Sequence, residues 1–159
     1  MSEEMHGMAI RAVAAYAPPS VITNTWIADR LREERIRYER QLDRELTESE
    51  AKEFETNDRW IRQKIGFRER RFVALGEGTI DLAVQATRLL SAKCGTDPAD
   101  YDLIIFATVT PSYLYSPSDV GLLQYELGIP EFVDGVPKKL FGYTTTLACS
   151  SWVEGLLQA

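Results

Sequence analysis

The chain has 159 residues, 45% of them hydrophobic, and a formal net charge of −6; this suffices for a folded core and has the wrong sign for nucleic-acid binding as the main task. Its longest apolar run, "LIIFATVTP", falls far short of the ~20 residues needed to cross a bilayer, so no membrane association is expected. Two cysteines, Cys94 and Cys149, in a chain that opens on acidic residues read as reduced thiols in a cytoplasm without a targeting segment, and the single histidine, His6, excludes a histidine-built metal site.

In chain order, Met8 to Pro18 is a short apolar run stopped by Pro18-Pro19 and reads as a buried strand. Asn24 is placed to cap a helix that begins at Thr25. The stretch over residues 28–56 is dense in both charge signs and in strong helix formers. It reads as one or two exposed helices, with Thr47 and Glu50 spaced as a capping box. "TNDRWIRQKIGF" follows as a second capped turn or short helix ending at Gly66, and "RERRFVA" as a strand. An amphipathic helix is expected from Thr79 to about Lys93, with Ile80, Ala83, Val84 and Leu90 on one face and Gly95 as its stop. Asp102 to Thr110 is apolar throughout, as a strand covered on both faces requires. A proline-punctuated loop leads to a helix from Ser118 to Leu127, stopped by Gly128; "LFGYTTT" is a further strand, and a last helix follows Cys149. Strands alternating with helices predict an α/β layer structure on a mainly parallel sheet.

Two features could carry chemistry. Cys149 falls at a strand-to-helix junction, ahead of Ser150 and Ser151, where helix-terminal N–H groups favour thiolate and can hold an oxyanion. The plain alternative is a small side chain filling core space. Cys94, at the end of a predicted helix, reads as a packing or surface residue. The run "RWIRQKIGFRERR" gathers Arg59, Arg62, Lys64, Arg68, Arg70 and Arg71 against Glu69. It could receive phosphates beside the flat face of Trp60, or it could be an ordinary exposed strand with its flanks. No metal-ligand cluster, phosphate-cradling glycine loop or carboxylate pair stands out.

Several segments, taken in order, resemble the N-terminal half of the β-ketoacyl-acyl-carrier-protein synthase III family of thiolase-fold condensing enzymes. They are "AYAPPSVITN", "NDRWIRQKIGFRERR", "PADYDLIIFATVTP", "SPSDVGLLQYELG" and "TTTLACSSWVEGLLQA". The resemblance implies an α/β/α/β/α layered fold, of which residues 1–159 form the N-terminal half-domain. The charged stretch at about 28–56 would be an insertion, because Asn24 and Trp60 lie further apart than in the family pattern. It implies that Cys149 is the acylated nucleophile and that Trp60 stacks on the adenine of coenzyme A, with Lys64 and Arg62 near its phosphates. Tyr115, Ser116 and Thr110 would line the acyl pocket, with the Leu114–Ser116 loop reaching a neighbouring subunit in a homodimer. No tightly bound cofactor is implied; an acyl-CoA or acyl carrier protein is the donor.

Thr144 stands where the family pattern has aspartate, and Ser151 where it has glycine after the nucleophile. Both point to a specialised relative. The family's catalytic histidine and asparagine and an oxyanion-hole glycine belong to a C-terminal half absent from these residues, and His6, ahead of the first strand, cannot replace them. The expected activity is therefore acylation of Cys149 followed by a decarboxylative Claisen condensation that needs the missing half. Acyl transfer to an oxygen or nitrogen acceptor and a non-catalytic partner subunit are the alternatives.

Overall fold

The computed structural model describes residues 9–113 and 115–159; His6 and Leu114 lie outside them. The chain divides into two compact units, Pro18–Ala74 and a second built from the segment before Pro18 together with Leu75–Ala159.

In the first unit, β1 (Ser20–Thr23) pairs antiparallel with β2 (Glu69–Phe72), Ser20 facing Phe72 and Thr23 facing Glu69. Helix α1 (Asn24–Leu42) starts directly from β1. Its cap is Thr23, not Asn24 as the sequence suggests: Thr23 is extended, and its Oγ1 accepts from the Trp26 N–H at 3.2 Å. Asn24 lies one residue further in, and its side chain serves tertiary structure instead. It is 1% exposed; its Nδ2 donates to Asp58 Oδ1 at 2.9 Å and to the Phe67 carbonyl at 2.8 Å, while its Oδ1 accepts from Arg70 at 3.2 Å.

The charged stretch forms most of α1 and all of α2 (Glu48–Lys52), within the one or two helices expected of its composition. Asp43, in the left-handed region at φ 51°, ends α1. The Thr47–Glu50 capping box forms, and the Arg44 guanidinium grips both Glu50 oxygens at 2.9 and 2.7 Å. Along α1 the ion pairs run Arg32–Asp29, Arg30–Glu33, Arg30–Glu34, Arg35–Glu39 and Arg37–Glu34. Such exposed pairs contribute little each. Packing does more to hold the helices, through buried Ala28, Ala51 and Ile61 and the Tyr38–Phe54 ring contact at 5.9 Å. Helix α3 (Asp58–Lys64) is capped by Asn57, whose Oδ1 accepts from the Trp60 N–H, and the chain turns out of it at Gly66, φ 90°.

In the second unit, β3 (Leu103–Ala107) and β6 (Phe141–Thr145) run parallel, Ile105 facing Tyr143. Alternate β3 residues serve opposite faces, as strand geometry requires. Phe106 joins Val84 of α4 (Thr79–Cys94) and Val120 and Leu123 of α5 (Asp119–Glu126) in the core, with Ile104, Ile80, Ala83 and Leu127 packed around them. Ile105 points the other way, to α6 (Ser151–Gln158), whose Gly155 lets the helix approach so closely that a Cβ would lie 3.2 Å from Ile105 Cγ2. Helices on both faces of a parallel pair are the predicted α/β layering. The other two sheets among the described residues, each of two strands, are antiparallel.

Two expectations need correction. Residues 9–18 form no strand: half-buried Ala12, Ala14 and Tyr16 alternate with more exposed neighbours, but no ladder partner flanks them among the described residues. A strand's periodicity is present; a hydrogen-bonding neighbour is not found among the described residues, and the Lys93 ammonium donates to the Val13 carbonyl at 3.0 Å. Conversely, β4 (Phe132–Val133) and β5 (Val136–Pro137) form a hairpin that the elements read from sequence omit. Its turn is Asp134-Gly135, both at positive φ (53° and 79°), a pair whose chemistry favours such turns.

Two measurements test this account of the 18–74 unit. Asn24→Ala strips partners from Asp58, the Phe67 carbonyl and Arg70 at once, and is expected to cost roughly 1–3 kcal/mol in urea unfolding read by tryptophan fluorescence. A loss below about 0.5 kcal/mol, as at an ordinary surface site, would contradict the structural role. The Arg44 guanidinium, assisted by the Thr47 N–H and hydroxyl, holds the Glu50 carboxyl down at about 2 against its ordinary 4.5. A depressed folded-state value stabilises above the unfolded one and is lost as pH falls through the folded one. Glu50→Gln should therefore lower the urea midpoint at neutral pH, and its gap from the parent should close between about 4.5 and 2.

Candidate functional site

Cys149 is exposed, in a single 3-10 turn over Ala148–Ser150 between β6 and α6. The Ser150 N–H closes the turn on the Leu147 carbonyl at 3.1 Å. Ala148 sits at φ 50°, a left-handed conformation that a residue with a Cβ rarely adopts, so the surrounding structure must hold it there.

What holds the turn is Thr108, the first residue after β3. Its N–H donates to the Thr145 carbonyl at 3.0 Å, extending the β3–β6 ladder to the last residue of β6. Its own carbonyl accepts from Ser151 Oγ at 3.4 Å, and its Oγ1 accepts from the Thr110 N–H at 3.2 Å. Thr108 and Ser151 are both buried, Ser151 to 3% exposure. One residue thus ties the chain four positions before Cys149 and two positions after it. Neither Ser150 nor Ser151 caps α6 with its side chain, as the sequence suggests they could: Ser150 makes no capping bond, and the Ser151 hydroxyl is spent on Thr108. The first N–H groups of α6 therefore lack a side-chain cap beside the thiol.

A second layer steadies the adjoining loop. Asp119, 2% exposed, accepts from the Ser112 N–H at 2.9 Å, and Thr144 Oγ1 accepts from the Val120 N–H at 3.2 Å. Sequence reasoning passed over Thr108 and Asp119; a polar residue directly after an apolar strand, and an acid directly after the Ser118 cap, were the available hints. Thr144, noted only as a departure, here joins β6 to the start of α5.

The other predicted site residues fall into two groups. Thr110 belongs to the Cys149 support, through its bond to Thr108 and the one its carbonyl accepts from Thr79. Tyr115, 96% exposed, and Ser116, also exposed, lie in the same unit. Trp60, Arg62 and Lys64 belong to the 18–74 unit, all on α3. Trp60 is 50% exposed and shares a helix face with Lys64 at i,i+4 spacing; Arg62 lies off that face and pairs with Asp58 at 2.9 Å. The carboxamide of Asn24, and then Arg62, hold the Asp58 carboxyl below its ordinary value. Within the basic run, Arg70 rests over the Phe67 ring and Arg71 donates to the Pro19 carbonyl, so part of that run is structural. Among the described residues no group of three or more His, Cys, Asp or Glu side chains is arranged for a metal ion, and no helix is long and apolar enough to cross a membrane.

The layering and the cysteine turn at the end of a parallel strand define a thiolase-like α/β fold, and solved structures agree. The β-ketoacyl-[acyl carrier protein] synthase III of Thermus thermophilus superposes with a TM-score of 0.69 at 29% identity, over 96% of this chain and 37% of that one. The priming β-ketosynthase of the R1128 polyketide pathway gives 0.65 over 92% and 34%, at 21% identity, a likeness of fold alone. No family model matches the chain. Among curated proteins, the β-ketoacyl-[acyl-carrier-protein] synthase III of Solibacter usitatus is 31% identical over 147 residues, 92% of this chain and 35% of its own length. Along nearly all of its length the chain is similar in sequence and fold to β-ketoacyl-[acyl-carrier-protein] synthase III proteins, and it spans about a third of the length of the relatives it matches.

Exposure separates the two thiols. Cys149 is expected to be alkylated by iodoacetamide at mildly acidic pH before Cys94, which is partly buried at the end of α4. Peptide mass mapping over a time course would show it, and equal rates at both positions would contradict the site.

Proposed function

We propose that this chain carries the acyl-accepting part of an acyl-thioester condensing enzyme of fatty-acid or polyketide-type biosynthesis. The observation that carries the reading is the exposed thiol of Cys149 on a turn anchored from both sides, in a chain of synthase III-like sequence and fold. The Cys149 thiolate attacks the carbonyl carbon of an acyl thioester. The carbon–sulfur bond to the donor then breaks, and the donor leaves as a thiol after taking up a proton. The acyl group remains on Sγ as a new thioester. The N–H groups at the start of α6, which no side chain caps, would serve as donors to the transient oxyanion.

In the condensing step a malonyl-type thioester loses CO₂, and the resulting carbanion attacks the acyl-Cys149 carbonyl and releases the thiolate. Hydrogen bonds from a histidine and an asparagine, which the resemblance places beyond residue 159, belong to that step. The donor is acyl-CoA or an acyl carrier protein. On this reading Trp60, Lys64 and Arg62 meet the coenzyme A end, and Thr110, Tyr115 and Ser116 border the acyl group, Tyr115 from the neighbouring subunit of a homodimer. The protein works in the cytoplasm without a metal.

Incubation of the chain with acyl-CoA, followed by intact and peptide mass spectrometry, is expected to give one acyl adduct on Cys149. Cys149→Ala should abolish it and Cys94→Ala retain it. The 159 residues alone should form no ketoacyl product from a malonyl thioester; sustained product would overturn the division of labour, and an adduct confined to Cys94 would overturn the nucleophile.

A further inference from the structure

Ser151 is the first residue of α6, and a serine at a helix start commonly spends its hydroxyl on the first N–H groups of its own helix. This one points away from them. Its Oγ donates to the Thr108 carbonyl at 3.4 Å, and both residues are buried. The bond is long for a hydroxyl, but neither group has solvent to turn to, so each depends on the other. The Thr108 carbonyl lies just past the β3–β6 register, which ends at Ala107 and Thr145.

Gly155 lies four positions on, on the same face of α6 and likewise buried, with its Cα close against Ile105 of β3. The helix is therefore attached to β3 and its continuation at two points one turn apart. They differ in kind. The Gly155 contact is one of packing and sets the distance between helix and strand. The Ser151 bond has direction, and it sets how the helix is turned about its axis and where it lies along it. Cys149 is two residues ahead of this bond, on a turn where Ala148 holds φ 50° against its own preference. The Ser150 N–H closes that turn on the Leu147 carbonyl, but a bond inside the turn cannot fix where the turn points.

We propose that Ser151 is a positioning residue for Cys149: through the Thr108 carbonyl its hydroxyl fixes α6 against β3, and so aims the thiol at the carbonyl carbon of the acyl thioester. The inference rests on the acyl-transfer reading for the reaction; the hold on the turn does not. Glycine stands here in the family pattern, where no side chain could make the bond, so that pattern does not supply this hold.

Two measurements on the parent, Ser151→Ala and Ser151→Thr test it. In amide hydrogen exchange read by NMR, Ser151→Ala should speed exchange of the Ser150 N–H on the order of tenfold. The Phe141 N–H, bonded to Asp102 at the other end of the strand pair, should keep its rate. In mass-spectrometric time courses with acetyl-CoA and hexanoyl-CoA, the maximal rate of acylation at Cys149 should fall on the order of tenfold with the half-saturating concentration unchanged. Ser151→Thr, which keeps the hydroxyl, should recover most of both effects. Unchanged exchange at Ser150 would overturn the proposal, and so would exchange that rises equally at Phe141, since that marks general loosening. An unaltered maximal rate, or a loss in Ser151→Thr equal to that in Ser151→Ala, would also overturn it. Selective exchange at Ser150 in a protein whose parent takes no acyl group would refute the acyl-transfer reading alone, and acylation of Cys149 that Ser151→Ala leaves unaltered would refute the positioning role alone.

Discussion

The carbonyl, amide and hydroxyl of Thr108 are the hinge on which the cysteine turn depends. A thiol at the end of a strand is only as well placed as the few residues that connect it to rigid structure. Here those residues include a strained Ala148. Thr108 resolves this by bonding to both sides of the turn from a third piece of chain, and it can do so because β3 and β6 are parallel and in register up to their last residues. Parallel pairing brings the ends of two strands to the same edge of the sheet, where a turn into a helix begins. Gly155 completes the geometry by letting α6 settle against Ile105. The location of the Cys149 thiol thus follows from backbone pairing several residues away.

The α/β layering was legible because its elements are punctuated by residues with few conformational choices. Gly95 at φ 64° and Gly128 at φ 69° end α4 and α5, and Ser118 caps α5. The capping box at Thr47 reads directly from its spacing. The errors lie where local and tertiary demands compete. Asn24 is as good a cap as Thr23 by composition, and only the buried partners Asp58, Phe67 and Arg70 decide which residue performs which task. Residues 9–18 have the alternation of a strand, but alternation says nothing of a neighbour. For the site, Cys149 was legible from its junction and from the ordered family resemblance. The hydroxyls of Ser151 and Thr144 were visible only as departures from a pattern, because their value lies in bonds to Thr108 and Val120 that no spacing encodes.

The first unit shows how a surface rich in opposite charges can still be specific. The pairs along α1 are individually weak and interchangeable, whereas the fork of Arg44 on Glu50 and the three bonds of Asn24 are directional and hard to replace. Directional contacts fix where the helices lie; the weaker exposed pairs add little to that placement.

The pairing of Ser20 with Phe72 has a consequence for how such a protein can change over generations. Entry to and exit from the 18–74 unit are held side by side by one two-stranded ladder, so everything between them is a closed excursion. The entropy of closing a loop grows only with the logarithm of its length, so inserting a pair of helices inside the excursion leaves the ladder's geometry untouched. Material can then be gained, lost or reshaped between β1 and β2 without shifting a single residue of the β3–β6 register on which the cysteine turn is built. The unit is a place where this architecture can experiment while its chemistry stays still.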